Sequence, residues 1–266
     1  MSKLYIVGTP IGNMADITFR AVETLKSVDI IACEDTRHTL PLLQRYDIKK
    51  PLISYYKQKE KEGSVYIAEL VENGKNVALV SDAGMPCISD PGSVVVREFM
   101  KRGLEYTVIP GVSASVSAAA LTGIDGEFTF IGFLPEKTKD KINLIDRHRD
   151  SGANLLVYAA PHDVNKIAEF LYERLGDRQA YFVKEISKIY ERVTAGRLSV
   201  LRDENPKGEY VIVIEPAEKT EIDDAAIITE LKKLLADGVD KKTAVNIVSE
   251  RLKTSKNKVY KLSLEL

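Results

Sequence analysis

Four segments of this 266-residue chain are loops rich in small residues, two of them also carrying acids, in a way that suits ligand binding. The first is Val7-Gly8-Thr9-Pro10-Ile11-Gly12-Asn13 and the second Glu34-Asp35-Thr36-Arg37. The third is the string SDAGMPCISDPG over 81–92, and the fourth is Ile109-Pro110-Gly111-Val112-Ser113-Ala114. Small side chains let backbone amides and carbonyls approach a ligand closely. A carboxylate such as Asp82 accepts hydrogen bonds from amino or hydroxyl groups. Any one of these loops can be a plain turn; four that each follow a strand are expected to converge on one edge. Other chemistries lack their residues. Gly8 and Gly12 are four apart with Pro10 between, which is not the dinucleotide fingerprint, and no phosphate-loop lysine motif occurs. His38, His148 and His162 are far apart, and Cys33 and Cys87 form no C-x-x-C pair, so no zinc site is expected. A G-x-S-x-G nucleophile elbow is also missing.

The elements that must position these loops read as α/β. Strand-like runs at 4–7, 29–33, 51–54, 77–80 and 106–109 alternate with segments of helical period. Pro41 is expected to disturb or start the helix over 36–46. This first unit, 1–122, presents its loops where open parallel sheets bind ligands. A second unit, 123–218, has strand-like runs at 128–133, 155–158, 179–183 and 210–215, spaced closely enough to predict a mixed sheet. The tail, 221–266, shows only helical periodicity. Its stripes are Ile227, Ile228, Leu231, Leu234 and Leu235, then Ala244, Ile247, Val248 and Leu252, then Val259, Tyr260 and Leu262. A three-helix unit of helix-turn-helix size follows from the breaks at Asp237-Gly238 and Thr254-Ser255.

Hydrophobic residues make up 44% and charged residues 29%, which excludes a wholly disordered chain. No run approaches the ~20 apolar residues of a membrane span. The apolar start of the chain is too short for a signal peptide, and two cysteines make no disulfide framework, so a cytoplasmic location is expected. With 38 Lys+Arg against 39 Asp+Glu, the chain is not a generally basic nucleic-acid binder. Local basic segments do exist. Lys137, Lys139, Lys141, Arg147 and Arg149 form one. Lys241, Lys242, Arg251, Lys253, Lys256, Lys258 and Lys261 form another in the tail, against the single acid Glu250. Both are candidates for phosphate contacts.

The four loops are joined, in order, by Gly132-Phe133-Leu134-Pro135, Ala160-Pro161-His162 and Glu185-Ile186-Ser187-Lys188. Together they resemble the ribosomal RNA small subunit methyltransferase I family, within the tetrapyrrole methylase superfamily. The likeness spans nearly the whole chain, and the 81–92 string is its most specific part. The segment departs from that family at Ala159 and Asp163, where relatives commonly carry Glu and Arg. The resemblance implies two α/β units with a cofactor cleft between them, S-adenosyl-L-methionine as methyl donor, and a homodimer. It also implies the 2′-hydroxyl of a cytidine in the decoding region of 16S rRNA as acceptor. By motif position it puts the cofactor against Pro10, Asp82, Met85, Ser113, Ala114, Tyr158 and Glu209, with Asp82 as a buried acceptor.

Methyl transfer from a sulfonium is an in-line displacement in which positioning supplies much of the rate. A ribose hydroxyl is a poor nucleophile while protonated, so a base or cation is expected to assist. Glu34, Asp35, Arg37, Glu185 and Lys188 are the candidates. Glu185 and Lys188, three apart, are placed to share a proton, and Arg37 to assist or to hold a phosphate. Two other functions remain open. One is a C-methyltransferase for a small tetrapyrrole, against which the basic tail counts. The other is a non-catalytic RNA-binding α/β protein.

Overall fold

The computed structural model describes residues 2–218, 223–252 and 254–266. The chain divides into two compact units at Ala217/Glu218.

The first unit holds two five-stranded sheets. Sheet one contains β1 (Leu4–Val7), β2 (Ile30–Cys33), β3 (Leu52–Ser54), β4 (Val77–Val80) and β5 (Tyr106–Ile109), in the order β3-β2-β4-β1-β5. Every pairing is parallel. β4 is buried along its whole length because helices cover both faces of a parallel sheet. Its alternate residues feed two cores. Val77 and Leu79 pack with Phe99 and Ile67, and Ala78 and Val80 with Leu25 and Leu43. The helices are α1 (Phe19–Ser27), α2 (Thr36–Arg45), α3 (Glu60–Glu72), α4 (Ser93–Arg102) and α5 (Ala114–Thr122). Thr18 and Asp35 cap α1 and α2 by accepting backbone N–H bonds from Ala21 and Arg37. Pro41, expected to disturb this helix or mark its start, lies inside α2 on its exposed face.

Sheet two contains β6 (Phe128–Phe133), β7 (Asn154–Ala159), β8 (Gln179–Lys184), β9 (Arg192–Arg197) and β10 (Tyr210–Ile214), in the order β6-β7-β10-β8-β9. It is mixed, as the close strand spacing suggested: β6 and β7 are parallel and the other pairs antiparallel. α6 (Thr138–His148) and α7 (Val164–Leu175) accompany it. Two elements had no clear sequence signal. α6 buries only Ile145, and β9 is a polar edge strand that exists by pairing with β8. α5 joins the halves. Its Ala114, Ala118 and Ala119 pack with Leu156, Val183, Val211 and Val213 of sheet two, and small residues permit that close approach.

The second unit is three helices, α8 (Asp224–Ala236), α9 (Lys241–Arg251) and α10 (Lys256–Ser263). Ile227, Leu231, Ala244, Val248 and Val259 form its core with Val245, and Asp240 caps α9 at the Thr243 amide. Tyr260, expected in the apolar stripe, is 53% exposed instead. Arg251 pairs with Glu230 and Lys258 with Asp224, each at 2.8 Å, so part of the tail's positive charge is neutralised locally. Lys241, Lys242, Lys256 and Lys261 are exposed, and Lys253 lies outside the described residues, as do 221 and 222 of the expected tail.

Candidate cofactor crevice and its charged wall

Because β1, β2, β4 and β5 are parallel, the loops after them emerge at one sheet edge. They are packed to the limit of backbone contact. A Cβ on Gly8 would lie 2.7 Å from Gly111 Cα and 2.6 Å from Met85 Sδ, so a side chain there is sterically barred. Thr9 and Gly84 exchange backbone hydrogen bonds at 2.9 and 3.1 Å, tying the first loop to the third. The edge encloses a crevice of about 230 Å³. Pro10, Ile11 and Leu42 supply apolar wall, Asp82 and His38 line one side, and Lys188 and Glu209 the other.

Asp82 is less secluded than expected. Its side chain is 32% exposed, because it stands past the end of β4 rather than within it. The Asp35 amide donates to Oδ1 at 3.2 Å and the His38 imidazole to Oδ2 at 2.9 Å. That hydrogen bond, with the charge of Asp82, raises the His38 pKa. Burial, then the nearby charge of Asp82, pushes the Glu34 carboxyl up. Asp90 is raised by burial and by Asp82, against the hydrogen bond to Ser81. Asp35 is held down to about 2 by the hydrogen bonds of Arg37. Arg37 itself does not line the crevice. Its guanidinium is 86% exposed and clasps Asp35, two residues away, at 2.6 Å.

The opposite wall comes from sheet two. Lys188 Nζ donates to Glu185 Oε1 at 2.8 Å and to Glu209 Oε2 at 2.9 Å, and the Glu209 amide donates to Glu185 Oε1 at 2.9 Å. Burial opposes the charge on Lys188, but these two carboxylates outweigh it and raise its pKa. Burial likewise acts against Glu185, yet Lys188 and the Glu209 amide lower its pKa. The proton therefore stays on Lys188, and the pair is a fixed ion pair. Gly12 permits the arrangement: its φ is +149° and the Lys188 stem lies where a Cβ would be.

Met85, Ser113, Ala114 and Tyr158 do not line the crevice. Met85 packs on Gly8. Ala114 and Tyr158 pack against the core shared by α5 and sheet two, and Ser113 bonds Ser115 at 3.0 Å. Tyr158 is flanked edge-on by Phe130 and Phe133 at 4.8 and 5.4 Å. Burial raises its pKa, and it feels the charges of Asp90 and Glu209. His162 pairs with Asp163 on the surface, 77% exposed. His38 is the crevice residue that sequence reasoning overlooked. The available signal was its place three residues after the Asp35 cap, in the first turn of α2. No group of three or more His, Cys, Asp or Glu is placed to hold a metal ion among the described residues.

A sequence profile for the family described as Tetrapyrrole (Corrin/Porphyrin) Methylases matches residues 3–202. The chain belongs to the tetrapyrrole methylase family. Within this family it is similar to a protein of Mycoplasmopsis pulmonis named ribosomal RNA small subunit methyltransferase I. The two are 43% identical over 217 residues, covering 80% of this chain and 97% of that one. A Haemophilus influenzae protein of the same name is 37% identical over 271 residues, covering 98% of this chain and 96% of its own. Among solved structures, a diphthine synthase superposes with a TM-score of 0.65 at 19% identity, covering 81% of this chain and 90% of that chain, a likeness of fold. The tetrapyrrole methylase fold thus accounts for the two sheets, and the M. pulmonis relative leaves a fifth of this chain unmatched.

Proposed function

We propose that this chain transfers the methyl group of S-adenosyl-L-methionine to the 2′-hydroxyl of a cytidine in the decoding region of 16S rRNA. The observation that carries the reading is a crevice with apolar and acidic walls facing a fixed ammonium, in a chain whose relatives are named for small-subunit rRNA methylation. The donor set suits the cofactor: a carboxylate with unused lone pairs at Asp82, apolar walls at Pro10, Ile11 and Leu42, and acid at Glu209 to face positive charge. Pro10, Asp82 and Glu209 would hold it on the crevice side. Met85, Ser113, Ala114 and Tyr158 would do so from the adjoining seam between α5 and sheet two.

When bound, S-adenosyl-L-methionine supplies a methyl carbon activated by the sulfonium charge. The chain's own part is alignment and charge. The rigid loops orient the reacting groups. Lys188 spends two of its three donors on Glu185 and Glu209, which leaves one for the substrate oxygen, whose hydroxyl proton passes to solvent water as the new O–C bond forms. Arg37, exposed on the rim, suits a backbone phosphate. The exposed basic residues of α6 and those of the tail suit further phosphates. A cytoplasmic homodimer built of domains 1–122 and 123–218 and a tail from 221 completes the reading.

The test is transfer of label from S-adenosyl-L-methionine to undermethylated small ribosomal subunits, free rRNA or a porphyrinogen, with the product mapped. Label on the ribose of a decoding-region cytidine supports the reading. Label on the porphyrinogen supports a tetrapyrrole methyltransferase, and absence of cofactor binding supports a non-catalytic RNA binder.

A further inference from the structure

On the other side of the Glu185–Lys188–Glu209 cluster lies a second, larger cavity of about 570 Å³. It is lined by Lys184, Tyr190, Arg192, Asn205 and Lys207, and Glu185 forms the wall that it shares with the cluster. We propose that this cavity is a subsite for a ribonucleotide of the acceptor strand adjacent to the methylated one, with Tyr190 as the stacking platform and Arg192 and Lys207 as phosphate contacts. The proposal rests on the methyl-transfer reading above and adds the substrate's path across the protein.

Three observations carry it. First, the lining acids are already engaged and two of the cations are not. Glu185 is bound to Lys188, and Glu191 accepts the Ser187 amide at 2.6 Å. Lys184 is paired with Asp203 at 3.0 Å. Arg192 and Lys207 are exposed and make no ion pair among the described residues. Second, Tyr190 is 77% exposed beside Ile189, which is 96% exposed, and its ring has no aromatic or hydrogen-bonding partner among the described residues. An aromatic face next to unpaired cations is the combination that binds single-stranded nucleic acid. Third, the segment that presents Tyr190 is held rigid. Glu185 and Ser187 adopt φ of 51° and 65°, a region non-glycine residues seldom occupy. Backbone bonds from Lys188 to Glu185 and from Glu191 to Lys188 close the turn, and Ser187 Oγ donates to Asp16 below the first loop. Such unfavourable backbone persists where the surroundings enforce it, typically at binding sites. One strand can therefore place a ribose against Lys188 and its neighbour's base on Tyr190, because Glu185 of this cavity is bonded to Lys188 of the crevice.

The experiment uses the full chain, undermethylated small ribosomal subunits and labelled S-adenosyl-L-methionine. Tyr190→Ala is expected to raise KM for the subunits by roughly tenfold, the loss of one stacked base. Tyr190→Phe, which keeps the ring, stays near wild type. Arg192→Gln with Lys207→Gln raises KM and lowers the salt slope by about 0.7 for each phosphate left without its cation. All variants keep the wild-type cofactor Kd by calorimetry, which shows that they are folded. A photocrosslinking residue at position 190 is expected to attach to rRNA. Unchanged KM and salt slope in these variants, or crosslinks to ribosomal protein alone, overturn the subsite while leaving the methyltransferase reading in place. A wild-type chain that transfers no label to rRNA overturns both.

Discussion

The two sheets meet the crevice with different materials. Sheet one offers short loops after parallel strands, locked by backbone contact of Gly8 with Gly111 and of Thr9 with Gly84, which carry Pro10, Ile11 and Asp82 to the crevice. Sheet two offers side-chain charge: Lys188 between Glu185 and Glu209. A parallel sheet ends all its strands at one edge, so many backbone groups gather there without long side chains. An antiparallel pairing brings distant turns together. The Tyr210↔Lys184 register sets Glu209 beside Glu185, from which Lys188 folds back. The first half thus depends on close backbone packing, whereas the second depends on its cation and on Gly12 and Gly208, where an added Cβ would meet Lys188 and Glu185.

The sharpest way to break that contrast is Gly8→Ala. The added Cβ meets backbone at 2.7 Å, which cannot rotate away. Affinity for S-adenosyl-L-methionine is expected to fall by about 3 kcal/mol in calorimetry. Full affinity in this variant would mean that close packing does not form the site. Lys188→Met probes the other half. Turnover is expected to drop on the order of a hundredfold, the scale for losing one charge-stabilising donor, while cofactor Kd changes little. A variant with wild-type kcat assigns Lys188 to structure only.

Asp82→Ala comes next, with cofactor binding weakened by on the order of 2 kcal/mol through loss of a charged acceptor. An unchanged Kd moves the cofactor off Asp82. The same pair predicts a pH effect. The folded-state pKa of His38 is raised, so the stabilisation from the His38–Asp82 pair is fully present below the ordinary histidine pKa. It is lost as pH rises through the raised one. In an NMR titration the imidazole of Asp82→Asn is expected to titrate lower than in wild type; equal values would disconnect the pair. The smallest effect on the crevice is expected from removing 218–266, a separate compact unit. Cofactor Kd should not move, while affinity for small subunits and its salt slope should fall. If cofactor binding is lost as well, the tail is part of the binding unit.

Legibility followed local signal strength. β1, β4 and β5 announce themselves as apolar runs of strand length, and the turn residues around them mark the loops. α6 hides because Ile145 is its one buried residue, in a helix rich in charge. β9 hides because its strand state comes from pairing with β8, not from its own residues. The loop motifs nominated Pro10, Asp82, Lys188 and Glu209, which the fold gathers around one crevice. They also nominated Arg37, which folds back on Asp35, and they passed over His38, whose partner Asp82 is 44 residues away.

Residue order alone determined the alternation of strands and helices, the small-residue loops and the kinship, since each is written in neighbouring side chains. The tertiary structure decided which charges meet. Lys188 keeps its proton, Asp82 stays half open, and Tyr190 stands beside unpaired cations because strands distant in sequence are aligned by register. Electrostatic energies fall off over a few ångströms that no sequence spacing specifies.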